Sequence, residues 1–298
     1  MALSGEQFVI RDGDDEATIV EIGGGLRRYT RGGTDVTVTY GDDELPPKCA
    51  GAVLVPWPNR LRGGAYSYDG AHYQLALTEP AQRNAIHGLG RWARWSCIRH
   101  DTAVCTMALD IPPQTGWPFE VRVEVTYSVS AAAGLTVAAL ARNVGTRRAP
   151  FGAGFHPYLS LGDRSLPEVS VRIPATHRLV VDSAQIPIGL QDVAGTRYDF
   201  RAGKRLRDVR LDDAFTGLAA DDGIGRVEVR IGAQGAVVWL DQAFQYAQVF
   251  TPDLIAHGQA GIAVEPMTCP ADAFNTGAGL IVLEPGTVWT GSWGITPL

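Results

Sequence analysis

Short alternating runs closed by turn residues constrain this chain more than any other feature of its sequence. "EVRVEVTYSVSAAAGLTVAALARNVG", "EVSVRI", "VEVRIGAQGAVVWL" and "GLIVLEPGTVWTGSWGI" each alternate apolar and polar residues, and Gly, Pro, Asn or Asp separates one run from the next. Period-2 patterning places one face of a strand against a core and the other toward water. No long segment carries the 3.6-residue period of an amphipathic helix, so helices are expected to be short and confined to connections. "AYSYDGAHYQLAL" reads as a hairpin about Asp69-Gly70, and "IGGGL" at Ile22–Leu26 as a bulge or turn between strands. "TDVTVTY", after Gly32-Gly33, reads as a further strand. Strands this numerous bury their apolar faces only in two packed sheets or a closed barrel. The expectation is an all-β fold, a large antiparallel β-sandwich. Although 298 residues allow two domains, the 35 glycines and 18 prolines are spread evenly with no linker-like pool. A single domain spanning residues 1–298 is therefore expected.

Charge and cysteine usage narrow the function classes. With 26 basic and 32 acidic residues the net charge is −6, and no basic run of five occurs, which argues against a nucleic-acid partner. No apolar stretch approaches the roughly 20 residues of a membrane span. The first twenty residues also lack a basic segment followed by an apolar one. Cys49, Cys97, Cys105 and Cys269 show no CxxC spacing, so free, mostly buried thiols are expected rather than a disulfide framework or a metal site. These features favour a cytoplasmic location.

Walker-type, Rossmann, HExxH and GxSxG signatures are absent, and no cofactor is expected. What remains is a set of polar residues placed where apolar runs give way to Pro or Gly. Asn59 and Arg60 lie in "VPWPNRLRGG", His87 in "RNAIHGLGRW" and His156 in "GAGFHPYLSLG". Asp212 and Asp213 lie in "LDDAFTGL", Gln248 in "YAQVFTPD" and Glu265 in "GIAVEPMTCP". Such positions present side chains at the rim or open face of a sheet. Each one alone also has an ordinary structural use, as a turn cap, a solvated charge or a hydrogen-bonded core histidine. Glu265 is the least ordinary, because a carboxylate ending a core strand is costly to bury without a partner. Trp57, Trp92, Trp95 and Trp117 read first as core residues.

Taken in order, "NRLRGGAYSYDGAHYQL", "NAIHGLGR", "GWPF", "NVGTRRAPFGAGFHPYL", "LDDAF", "QVFTPD", "AVEP" and "LEPG" resemble the aldose 1-epimerase (galactose mutarotase-like) family. The resemblance covers most of the chain and implies the family's antiparallel supersandwich. It implies a cofactor-free enzyme that interconverts the α and β anomers of an aldose, with Glu265 as base and His156 as acid. It further implies that Asn59, Arg60, His87, Asp212 and Gln248 bind the sugar. Two departures stand out. Asp213 occupies a position where many members carry His, which makes it a rival to Asp212. Pro56-Trp57-Pro58 replaces the Gly-Arg-x-Ala of galactose-type members, leaving Trp57 able to stack on a sugar's C–H face. Arg60, Arg62 and Arg91 are candidates to hold a phosphate on the sugar. Two other readings stay open: a non-catalytic sugar-binding protein, and a glycoside hydrolase with carboxylates such as Asp212 and Glu265 ~5–10 Å apart.

Overall fold

The computed structural model describes residues 2–207, 209–232, 234–255 and 257–298. Val121–Ser130 shows how the sequence becomes a sheet: VRVEVTYSVS alternates buried and half-buried residues along its whole length. It pairs antiparallel with Gly134–Asn143 from Val121↔Asn143 to Ser130↔Gly134, a hairpin with no register break. Val288–Pro297 lies on the other side of Gly134–Asn143 and pairs in turn with Gln234–Leu240. The last strand of the chain therefore occupies the middle of a ten-stranded sheet.

An eight-stranded sheet packs against it. From one edge its strands run Pro187–Asp192, Ala175–Val181, Asp212–Leu218, Tyr246–Phe250, Gly261–Met267, Gly154–Phe155 and Val53–Leu54, with Tyr158–Ser160 also paired to Gly261–Met267. Phe155, Phe215, Val249 and Val264 belong to the buried core that joins the sheets. The Phe155 ring lies 5.1 Å from that of Trp293 on the larger sheet. A four-stranded meander of Gln7–Asp12, Asp15–Val20, Leu26–Arg31 and Thr34–Asp35 completes the layers. Its turn is tied down by the Tyr127 hydroxyl, which donates to the Gly24 carbonyl at 2.8 Å. The fold is the all-β sandwich expected from the alternation.

Local expectations meet the structure unevenly. Asp69 (φ 50°) and Gly70 (φ 74°) both take left-handed backbone, as a two-residue hairpin turn requires, and they join Ala65–Tyr68 to Ala71–Gln74. At "IGGGL", the Val20 N–H donates to the Gly25 carbonyl at 2.9 Å, and a register shift at Thr18/Ile19 marks the irregularity. "TDVTVTY" departs from expectation, because only Thr34–Asp35 is strand. The Val36 N–H bonds the Tyr29 carbonyl while the Val38 N–H bonds that of Tyr158, so this run crosses between two partners and completes a ladder with neither. Among the described residues helix is limited to Ala273–Thr276 and two 3₁₀ turns, Pro47–Cys49 and Leu166–Glu168. All four cysteines are free; Cys105 and Cys269 are buried, Cys49 and Cys97 half-buried. No described helix is long and apolar enough to cross a membrane.

Candidate active site

The outer face of the eight-stranded sheet collects the polar residues singled out by sequence. Ala214 pairs with Gln248, and Gln248 with Glu265, so these three side chains emerge side by side on one face. Beyond Glu265, Gly154↔Met267 and Tyr158↔Ala263 share one register, and stepping inward along it sets His156 across from Glu265. The ladder is interrupted there because Pro157 has no N–H; its carbonyl still accepts from the Val264 N–H at 3.3 Å. His156 is held on its other side, donating to the Ala52 carbonyl at 3.1 Å and accepting from the Gly51 N–H at 2.9 Å. Alternation then directs Phe155 into the core and His156 into the site.

The glycines of "GAGFH" serve packing. A Cβ on Gly154 would stand 2.7 Å from Pro58 Cβ, and one on Gly152 would stand 2.4 Å from Cys269 Sγ. Their absence lets the Pro58–Asn59 loop close onto the strand that leads to His156.

His156 Nε2 and Glu265 Oε1 are 3.4 Å apart, and the two residues are 5% and 2% exposed. Among the described residues, His156 Nδ1 and Glu265 Oε2 are buried with no protein partner. Two orphaned polar atoms at one locus carry a desolvation cost that a bound ligand with hydroxyl groups would relieve. Burial holds both groups toward their neutral forms. It lowers the His156 imidazole to about 3, with the Arg91 charge acting in the same direction. It raises the Glu265 carboxyl well above the usual carboxylate range, helped by repulsion from Asp212 and opposed by Arg60.

A second group of side chains stands beside this pair. Asn59 (φ 54°) and His87 (φ 62°) both adopt left-handed backbone and lock onto one another. The His87 N–H donates to the Asn59 carbonyl at 2.9 Å, and the Asn59 N–H donates to His87 Nδ1 at 3.2 Å. With Nδ1 accepting, the proton of neutral His87 sits on Nε2 as a donor. Burial keeps His87 in its neutral form. Its ring meets His156 edge-on at 5.5 Å. Arg60 forks onto Glu79 through Nε and Nη2, both at 2.9 Å at closest approach. Gln248 Nε2 donates to Asp212 at 2.7 Å. Asn59, Arg60, Asp212 and Gln248 line a cleft that faces Leu179 and Pro187. His87, His156 and Glu265 lie on adjoining segments, closed to solvent and outside that lining. A larger groove near Arg31, Asp163 and Leu298 contains none of these residues.

Several expectations change. Asp212 and Asp213 are separated by strand alternation: Asp212 faces Gln248, whereas Asp213 is buried in an ion pair with Arg178. Trp57 is not a stacking platform. It is buried in the core, edge-on to Phe274 at 5.8 Å, because the sequence around it turns inward before Asn59. Arg62 is engaged by Asp182 at 2.7 Å, and Arg91 Nη1 lies 3.2 Å from Cys49 Sγ. Neither Arg62 nor Arg91 lines the cleft. Glu79 and Gln185 were not legible in the sequence, for they sit in unremarkable loops and only long-range contacts bring them to the site.

Comparison with known proteins bears on this geometry. The sequence model described as aldose 1-epimerase matches residues 6–296. YihR of Escherichia coli strain K12, described as uncharacterised, is 35% identical over 286 residues, covering 96% of this chain and 91% of that protein. The galactose mutarotase of Sus scrofa is 27% identical over 173 residues, 54% of this chain and 49% of its own length. In structure, the GalM/aldose epimerase homologue of C. elegans superposes with a TM-score of 0.86 at 17% identity, covering 98% of each chain. A family match across nearly the whole chain, on a shared fold, decides the membership: this chain belongs to the aldose 1-epimerase family.

Proposed function

We propose that the protein is a mutarotase that interconverts the α and β anomers of an aldose by opening and reclosing the hemiacetal ring. The observation that carries this reading is the buried His156–Glu265 pair, 3.4 Å apart, with one unpartnered polar atom on each. The hydroxyl oxygen O1 and the ring oxygen O5 share one carbon, so two groups this close can serve both. Glu265 as carboxylate takes the O1 proton while the C1–O5 bond breaks, its electron pair going to O5. O5 in turn takes a proton from the His156 imidazolium. This leaves an open-chain aldehyde, a protonated Glu265 and a neutral His156. Rotation about C1–C2 presents the other carbonyl face. On reclosure O5 returns its proton to His156, and Glu265 reprotonates O1. Ring opening thus ends in the protonation state that burial favours for the pair.

The remaining groups support binding. With His87 Nδ1 accepting from Asn59, its Nε2–H is left to donate to the sugar, and Arg60, held by Glu79, offers a fixed cation for sugar oxygens. Asn59, Asp212 and Gln248 supply hydroxyl partners along the cleft. Anomer exchange measured by polarimetry or magnetisation transfer over a panel of neutral and phosphorylated aldoses tests the reading. Glu265→Gln and His156→Asn should each lose roughly 10²–10⁴-fold in kcat while remaining folded. Near-wild-type kcat in either variant would sink the assignment. Tight sugar binding without rate enhancement would instead identify a binding protein, and release of a nitrophenyl aglycone would identify a hydrolase.

A further inference from the structure

The cleft is closed on one side by the turn 182–186, which joins Ala175–Val181 to Pro187–Asp192. This turn is over-determined. The Gln185 N–H donates to the Asp182 carbonyl, and the Asp182 N–H to that of Ile186, both at 3.0 Å. The Asp182 carboxylate accepts from the N–H groups of Ala184 (2.9 Å) and Ile186 (3.1 Å) and from Arg62 (2.7 Å). Buried Asn84 donates to the Ala184 carbonyl at 2.9 Å and to Glu79 at 3.1 Å, and Glu79 in turn clamps Arg60. One polar network therefore fixes both the turn and the arginine of the cleft.

Within this scaffold Gln185 has φ 60°, left-handed backbone that residues other than glycine seldom adopt. Its side chain lines the cleft, and among the described residues its amide has no protein hydrogen-bond partner. The neighbouring wall, Leu179, Val181 and Pro187, is apolar. A hydroxyl group placed against that wall would find no hydrogen bond there except from Gln185. We propose that Gln185 is a specificity-determining residue whose side-chain amide hydrogen-bonds one sugar hydroxyl remote from C1. This inference rests on the mutarotase reading, since it assigns a partner to a substrate of that site.

The test is anomer exchange with the best aldose and each of its monodeoxy analogues, for wild type, Gln185→Ala and Gln185→Gly. On the parent sugar both variants should raise KM roughly 3–10-fold with kcat little changed. On the one analogue lacking the contacted hydroxyl, wild type and variants should coincide. Glycine takes φ near 60° without strain, so Gln185→Gly should melt no lower than wild type, which separates substrate contact from a structural role. An unchanged KM in Gln185→Gly, or an equal rise on every deoxy analogue, overturns the proposal while leaving the mutarotase reading intact. A wild type that accelerates no aldose overturns both.

Discussion

At the scale of single residues, the proposed mechanism turns on the protonation of the His156–Glu265 pair. If the form of the His156–Glu265 pair that holds one proton is the working form, kcat/KM should plateau between the lowered His156 imidazole and the raised Glu265 carboxyl. It should fall on the acid side only toward the His156 value of about 3, and on the alkaline side where the raised Glu265 carboxyl ionises. A profile that follows an unperturbed histidine near 6.5 would contradict this. The same shifts act on stability with opposite signs. Folded Glu265 keeps its proton above 4.5, where the unfolded chain loses it, so its contribution is complete below pH 4.5 and drains away as pH rises. Folded His156 refuses a proton that the unfolded chain binds below 6.5, so its contribution is complete above pH 6.5 and is lost as pH falls toward 3. Glu265→Gln should therefore melt higher than wild type at pH 8, with the gap narrowing as pH is lowered toward 4.5, even as catalysis is lost. Thermal melts across pH check the sign.

Single elements decide where these residues point. The strand that leads into "GAGFHPY" alternates, with Phe155 in the core and His156 in the site, and Pro157 breaks the ladder where an imidazole must stand clear of it. The glycines admit the Pro58–Asn59 loop. Gly154→Ala would place a methyl 2.7 Å from the Pro58 ring, which cannot swing aside as a flexible chain would. We expect a loss of about 1–3 kcal/mol in urea denaturation, together with a raised KM because Asn59 rides on the displaced loop. An unchanged stability would mean that the loop gives way freely.

At the scale of the whole molecule, the site is the outer face of one sheet, and its rigidity comes from the core beneath. Phe155 reaches from the strand beside His156 to Trp293 in the central strand of the larger sheet, at 5.1 Å. Trp293 is 1% exposed, and Trp293→Ala should cost about 3–5 kcal/mol, read as a lowered denaturant midpoint. A small shift would show that the two sheets do not rely on this contact.

Alternation and turn chemistry carried the fold class and the Asp69-Gly70 hairpin, because both follow from how one residue relates to its neighbours in sequence. They also located Glu265, His156, Gln248 and Asp212 at strand positions next to breaks. "TDVTVTY" marks the limit of that signal: its pattern is strand-like, yet its hydrogen bonds are divided between Tyr29 and Tyr158. The different surroundings of Asp212 and Asp213 needed the partners Gln248 and Arg178, and the burial of Trp57 needed Phe274. Glu79 and Gln185 came to the cleft only through contacts distant in the chain. Local pattern sets which way a side chain leaves its strand. Only tertiary packing, which sets sheet order, register and the burial of each polar atom, decides what that side chain meets.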